Sequence, residues 1–521
     1  MAHSKGVSTF QIMLLSTGGM LGAGWLFSPY YGFHTAGLGV ILSWIIVAIM
    51  TFIIGLSFAE VSTRLPIVGG ISRYMGITHD KKVSFVFLTL GWLSYVVYLP
   101  LEIQSCVQYL GFWFSSLVDS IGGVTTLSYK GLVLSLFLMF GLTWFNTLVL
   151  GKVARANSFI SLWKIVIPLV IAWILIIGFG DWNHVKALSV SHKLSYEPVL
   201  LAITQSGMAF AFTGFQNGLI LANSVNNPKK ALPYSIFSPL IIGFLLYCSL
   251  SLAFIFCIGN DKFIVGTTAP LLGLVGLFGI HIILVVLFID AIIAPLGTAN
   301  VYTASTSRIL LGLARDFLPK SMFVKLNKNL SPAYCLWVNL VIGACFLLPF
   351  PTWTQLVNFL SSIVVFAYIA GPISLIILRK HYANEVPTFK VWNYKLIANL
   401  GFIFCSLLVY WSGLDNLSYL IITLFVILVI YGFIVSKGSF LSALKSNLFV
   451  IAYVGSIILV AYLRKLNLVL FPYDNLCIVL ISLVMCKVFV NKCLMTNEIS
   501  INLARYNLEN TSGIKYETNK Y

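Results

Sequence analysis

The sequence predicts an all-α polytopic membrane protein, and three observations carry that reading. Of its 521 residues 59% are hydrophobic and only 9% charged, a composition that excludes a soluble globular chain. Hydrophobic stretches close to the ~20 residues that a bilayer core requires recur along the chain, and about fourteen are distinguishable. With a cytoplasmic N-terminus, about 25 of the 32 Lys and Arg fall in cytoplasmic loops or the tail and about six outside. The net charge of +17 is then a matter of topology rather than of a nucleic-acid partner, and both termini are expected to be cytoplasmic.

The first span, 8–32, contains LLSTGGMLGAGWLFS, in which Gly18, Gly19, Gly22 and Gly24 interrupt an apolar helix at mid-depth. A break in lipid is tolerable only where protein, water or a solute satisfies the bared backbone. Secondary transporters use such breaks to meet a substrate carboxylate with half-helix amides and a cation with exposed carbonyls. A helix-packing patch, with Gly18 and Gly22 spaced as G-x-x-x-G, competes with that account. The stretch is too long for a signal-peptide core and no A-x-A-like site follows, so no cleavable signal is expected.

Span two, 37–62, carries Glu60 near Arg64, a structural ion pair at its cytoplasmic end. Spans three (84–114), four (130–150) and five (157–179) follow, and the loop from Asp181 to Glu197 is expected outside with a short surface helix. Span six, 198–222, is interrupted by Thr213, Gly214, Gln216, Asn217 and Gly218. Spans seven (233–259) and eight (279–307) are apolar, with His281 expected buried and hydrogen-bonded. The remaining spans are 333–350, 354–378, 394–413, 416–436, 447–463 and 471–490, and the polar tail after Lys492 is expected to be mobile. The nine cysteines form no C-x-x-C and no His pairing at metal spacing, so they read as packing residues, with no metal or cofactor.

Spans one and six are both broken, five spans apart, which points to inverted repeats around a midplane site. Two unrelated polar interruptions are the competing account. Glu102 in span three, Lys164 in span five and Asp290 in span eight are the ionisable residues well inside the hydrocarbon zone. Each costs about 2.5–3.5 kcal/mol on insertion scales, so a partner, a cavity or a proton path is expected, and interhelical pairing that serves folding is the alternative. Desolvation disfavours a charged ammonium, which suits Lys164 to reversible protonation. Trp25, Phe210, Phe212 and Phe215 are candidates to wall a pocket, with Trp25, Phe215 and Gln216 as gating residues; single aromatics in apolar helices also serve packing.

MLGAGW at Met20–Trp25 resembles the first-helix glycine motif of the amino acid/polyamine/organocation superfamily of permeases. AEVSTRLPIVGG, from Ala59 to Gly70, is similar to that family's loop after the second helix. Phe210–Pro233, with Asn227, Pro228 and Pro233, resembles its sixth helix and the N-P segment. Ser307–Pro319 resembles the loop after its eighth helix. GWLFS, PLEIQSCVQY and IDAIIAPLGTANVY look most like the bacterial aspartate-proton symporter branch.

The resemblance implies a LeuT-type five-plus-five inverted repeat with about four extra C-terminal helices. The boundaries are a transporter core over 1–380 with repeats 8–179 and 198–378, added helices over 381–491 and a tail over 492–521. It also implies that a substrate carboxylate meets the amides of Gly22, Ala23 and Gly24, and an amine the carbonyls near Thr17, Met20, Phe210 and Thr213. Lys164 matches the family's fifth-helix lysine, whose ammonium stands where sodium-coupled relatives hold sodium. Gln216 replaces an acid found in many relatives, Asn223 and Ser224 replace an acidic pair, and Ala23 lacks a hydroxyl that some relatives use.

The expected function is secondary active amino-acid uptake driven by protons across a bacterial-type cytoplasmic membrane. Lys164, Glu102 and Asp290 are the candidate coupling residues. The expected partners are an amino acid, a proton and the lipid bilayer, with the oligomeric state left open. Aspartate and a neutral amino acid both remain as substrates, because an aspartate side chain wants a further cation. An exchanger and a non-transporting sensor are the alternatives. No Walker A sequence, H-E-x-x-H or Ser-His constellation appears, which disfavours ATP-driven transport and an enzyme.

Overall fold

The computed structural model describes residues 8–67, 71, 73–121, 124–148, 153–191, 195–225, 227–258, 268–435, 440–493, 495 and 497–504. The side chains of 121, 153–159, 190, 191, 221, 223 and 224 lie outside that description, and with them the expected role of Asn223 and Ser224.

The chain opens with α1 (Thr9–Met20), started by a capping box in which Ser8 and Gln11 satisfy each other's amides. It continues as α2 (Gly24–Ala36), α3 (Val40–Arg64), α4 (Arg73–Thr78) and α5 (Lys81–Leu110), the last capped by the Asp80 carboxylate on the amides of Lys82 and Val83. An antiparallel ribbon of β1 (Val118–Ile121) and β2 (Val124–Leu127), which the sequence reading did not anticipate, leads into α6 (Tyr129–Leu148) and α7 (Val153–Phe179). The surface helix expected in the Asp181–Glu197 loop is α8 (Trp182–Ser191). The sixth span is built from α9 (Tyr196–Gln205), α10 (Met208–Ala211) and a 3-10 segment, Phe215–Ser224. Then come α11 (Pro228–Ile258), α12 (Pro270–Gly276), α13 (His281–Phe317), α14 (Ala333–Cys345), α15 (Trp353–Tyr368) and α16 (Ala370–His381). Four further helices, α17 (Tyr394–Trp411), α18 (Leu414–Ile430), α19 (Phe440–Lys465) and α20 (Tyr473–Asn491), end the transmembrane part.

Among the described residues eleven helices are long and apolar enough to cross a membrane, or twelve when the bent pair at residues 196–220 is taken as one span. The fourteen expected from hydropathy include two stretches that are not single long helices. Span 8–32 is divided into 12 and 13 residues by its glycines, and α14 is 13 residues long. The architecture is an all-α polytopic membrane protein. Its outer face is apolar, with Phe137, Ile177, Leu348 and Val484 exposed, whereas Glu102, Lys164, Asp290 and Asn217 are buried, the inside-out distribution that lipid imposes.

Helix α1 packs against α7, α11, α13 and the 3-10 segment, the last of which belongs to the broken sixth span, so the two breaks adjoin. Helix α5 lies along α13 and α15. Helix α17 packs against α3, α15, α16 and α20, which fastens the C-terminal helices to the core. A polar clasp adds to that attachment: Arg464 of α19 pairs with Glu197 at the start of α9 and with Asp474 of α20, and the Tyr410 hydroxyl donates to Asp474 at 2.7 Å.

Two expectations change. His281 is the first residue of α13 and is exposed rather than buried, because the helix begins there instead of enclosing it. The tail expected to be mobile after Lys492 is helical over residues 497–504, and the chain beyond lies outside the described residues.

Candidate functional site

Between α1 and α2 the bared backbone is met group by group. The Leu21 amide donates to the Thr17 carbonyl at 2.9 Å and the Gly22 amide to the Met20 carbonyl at 3.0 Å. The Gly18 carbonyl accepts from Lys164 Nζ at 3.1 Å and from Thr298 Oγ1 at 3.0 Å. Thr298 Oγ1 in turn accepts from Lys164 at 2.7 Å and lies 3.3 Å from the Leu21 carbonyl. The Ala23 amide donates to Glu102 Oε2 at 2.8 Å. A lysine thus sits on the carbonyl side of the break and a carboxylate on its amide side, each matched to the sign of the half-helix end it faces.

The second break has two parts. Gly207, at φ 73°, turns the chain between α9 and α10, which belong to segments bent by 54°, and its carbonyl accepts from Ser28 Oγ at 2.9 Å. Gly214, at φ 103°, precedes the 3-10 segment, and its amide donates to Gln216 Oε1 at 2.9 Å. Both angles lie where glycine is favoured. Hydropathy locates the second part only; the first is visible solely in the glycine itself. The Phe210 carbonyl accepts from the amide and hydroxyl of Thr213, and the Tyr98 hydroxyl donates to Thr213 Oγ1. The Ala211 carbonyl takes the Tyr247 hydroxyl at 2.7 Å.

The two breaks touch through their glycines. A methyl at Gly24 would stand 3.0 Å from the Cα and Cβ of Ala211, and one at Gly214 would stand 2.9 Å from the Gly19 carbonyl oxygen and Met20 Cα. The Gly218 amide donates to Ser16 Oγ at 2.8 Å. Close packing by glycine is therefore realised here.

Glu102, Lys164 and Asp290, expected separately from the sequence, come together as one electrostatic group. Lys164 acts on both acids and both act on it, while the Asp290 carboxylate lies beside the Trp163 indole. All three side chains are at most 1% exposed. Of the expected gating residues, Trp25 is buried, Phe215 packs on Tyr368 at a 5.3 Å ring separation, and Gln216 ties the Gly214 amide to the Tyr368 hydroxyl. Phe210 lies against Tyr98 and Trp353, and Phe212 against Trp44 and Tyr247.

The expected substrate contacts are all at the breaks, but several are already engaged within the chain. The amides of Gly22 and Ala23 donate to Met20 and Glu102, and the carbonyls of Thr17, Met20 and Phe210 each accept at least one hydrogen bond. A carbonyl has two lone pairs and can accept again, whereas an amide has one proton. Sequence reasoning missed Thr298 and the aromatic group of Tyr95, Tyr98 and Tyr302, in which Tyr98 and Tyr302 stack at 3.6 Å. The signal was spacing: Tyr95, Tyr98 and Glu102 fall at i, i+3 and i+7 on α5, and Thr298, Tyr302 and Thr306 at i, i+4 and i+8 on α13.

At the cytoplasmic end of α3, the ion pair expected between Glu60 and Arg64 is present at 3.4 Å and is larger than expected. Glu60 Oε2 also accepts from Arg379 Nη2 at 2.9 Å and from the Val391 amide at 2.8 Å. One buried carboxylate thereby joins α3 to α16 and to the segment before α17.

A model of the family described as amino acid permease matches residues 7–430. The glutamate/serine transporter of Bacillus subtilis strain 168 is 29% identical over 496 residues, covering 92% of each chain. The aspartate-proton symporter of the same organism is 29% identical over 437 residues, 82% of this chain and 83% of its own. Its branched-chain amino acid permease is 23% identical over 442 residues, 82% of this chain and 92% of its own. With a family match across most of its length and two discontinuous helices meeting inside an apolar bundle, this multi-pass membrane protein belongs to the amino acid permease family of the amino acid/polyamine/organocation superfamily.

Proposed function

We propose that the chain is a proton-coupled amino-acid symporter that works by alternating access around the two broken spans. The observation that carries this reading is the pair of titratable groups on the first break: the Lys164 ammonium on the Gly18 carbonyl and the Glu102 carboxylate on the Ala23 amide. A substrate carboxylate belongs with the amides of Gly22 to Gly24, and its amine with the carbonyls near Thr17, Met20, Phe210 and Thr213. Lys164, Glu102 and Asp290 then form the group that takes and releases the transported proton, since the charge state of each depends on the charges of the other two. Trp25, Phe215 and Gln216 close the site. The core spans 1–380 as repeats 8–179 and 198–378, the helices of 381–491 brace it, and both termini lie on the cytoplasmic side of a bacterial inner membrane.

Relatives named for glutamate and serine, for aspartate and for branched-chain amino acids support an α-amino-acid substrate and leave its side chain open. The deciding experiment is uptake into proteoliposomes of each of the twenty amino acids, with and without an imposed pH gradient. Concentrative uptake of at least one amino acid only when the gradient is inward supports symport. Exchange that ignores the gradient identifies an antiporter, and binding without flux identifies a sensor.

A further inference from the structure

The Glu102 carboxylate lies on one of the amides assigned to the substrate's own carboxylate. Its Oε2 accepts the Ala23 amide at 2.8 Å, at the start of the 13-residue helix α2, although it comes from α5, 79 positions away in sequence. The side chain is 1% exposed, and Oε1 has no hydrogen-bond partner among the described residues. Oε1 is aimed at the break: a methyl on Gly22 would overlap it and would stand 2.6 Å from the carboxyl carbon and 2.7 Å from Oε2. The carboxylate therefore covers the face of Gly22 and Ala23.

We propose that Glu102 is an internal competitor for the substrate α-carboxylate, holding the half-helix amide until a proton neutralises it and releases the seat. The proposal rests on the assignment of that seat under the proposed function. One amide proton serves one acceptor well, and two carboxylates side by side in a low-dielectric interior do not both stay ionised. A proton from the open aqueous side adds to a Glu102 oxygen, and no covalent bond of the substrate changes. The resulting acid O–H can donate to the incoming carboxylate, so one proton enters with each amino acid. The groups that face Glu102 are Lys164 from α7, Tyr98 and Cys106 from its own helix, and Tyr247 from α11, with Asp290 of α13 acting on Lys164. Lys164 is the cation among them. It favours the ionised competitor and so sets the proton requirement.

The test is equilibrium binding of radiolabelled L-serine, L-glutamate, L-aspartate and L-leucine to the full chain in nanodiscs between about pH 6 and pH 8.5. Wild type is compared with Glu102→Gln, which mimics the protonated acid, and Glu102→Asp, which keeps the charge but shortens the reach to Ala23. The wild-type affinity is expected to fall as pH rises. Glu102→Gln is expected to bind about tenfold more tightly at the alkaline end and to lose the pH dependence, the size expected for removing a charge-assisted competitor. Glu102→Asp is also expected to bind more tightly than wild type at the alkaline end, and it decides the matter alone if the Gln variant does not fold. In weak buffer, wild type should take up about one proton per amino acid bound and Glu102→Gln none. Unchanged affinity and pH profile in the variants overturns the proposal, as does loss of binding by folded Glu102→Gln, which would make Glu102 part of the seat itself. Failure of wild type to bind any of the four amino acids overturns the substrate assignment instead.

Discussion

Replacing Lys164 by Met separates coupling from architecture, because methionine keeps the aliphatic body and removes the ammonium. The structure sets the magnitude. Two hydrogen bonds disappear, to the Gly18 carbonyl and to Thr298 Oγ1, each worth about 1.5–3 kcal/mol for a charged donor. Against that, the cost of burying an ammonium, several kcal/mol, is also removed. The Gly18 carbonyl keeps the Thr298 hydroxyl at 3.0 Å and is not orphaned. Folding stability should therefore change little, by no more than about 2 kcal/mol in either direction. Coupling should be lost entirely, since the two buried acids lose the cation that favours their ionised forms and retain their protons through the cycle. With one proton per amino acid, each pH unit of gradient supports about tenfold accumulation, so a two-unit inward gradient should give roughly hundredfold accumulation in wild type and none in Lys164→Met. The assay is radiolabelled uptake in proteoliposomes, paired with counterflow at equal pH, which the variant should still perform. Gradient-driven accumulation at the wild-type level in Lys164→Met would refute the reasoning.

Gly24→Val should abolish substrate binding while gel filtration still shows a monodisperse protein, because its Cβ meets Ala211 backbone at 3.0 Å; a folded variant that binds normally places the site elsewhere. Asp290→Asn should retain counterflow and lose most accumulation under the same gradient, whereas parallel loss of thermal stability and both activities would mark the residue as structural. His79, outside the spans, donates from Nε2 to the Phe489 carbonyl at 3.0 Å, and burial pushes its imidazole down to about 4. A folded value below the unfolded ~6.5 means that its contribution is present above about pH 6.5 and is lost as pH falls towards 4, by up to about 3 kcal/mol. The wild-type melting temperature should accordingly drop between about pH 7.5 and pH 5 by more than that of His79→Gln, and equal drops would refute the assignment.

The helical membrane architecture was legible because composition and hydrophobic run length are local properties. Breaks in spans one and six were legible for the same reason: Gly18 to Gly24 and Thr213 to Gly218 are polar or glycine-rich within otherwise apolar stretches. Isolated charges announce themselves in such a background, which is why Glu102, Lys164 and Asp290 stood out. Their convergence did not, since it depends on how α5, α7 and α13 pack. Thr298 looks like any threonine in an apolar helix until Lys164, 134 positions earlier, is seen to reach it. Arg379 likewise sits in a basic run and becomes a partner of Glu60 only across 319 positions. Span counting was least secure where glycine shortens the helix, and His281 was misplaced because the start of α13 was legible but what packs around its first turn was not.

The seam where the two broken spans meet has a further consequence. At Gly24 against Ala211, at Gly214 against Gly19, and at Gly218 against Ser16, at least one member of each pair lacks a side chain so that the other segment can approach. In the alternating-access cycle proposed above, a rotation of one half-helix would have to be matched by its neighbour, so that the two breaks would move as a single gear rather than as two hinges. The same geometry couples the two positions: losing the Ala211 methyl removes one of the two 3.0 Å contacts that a methyl gained at Gly24 would make and leaves the one to the Ala211 Cα, so the damage at Gly24 is conditional on the residue across the seam.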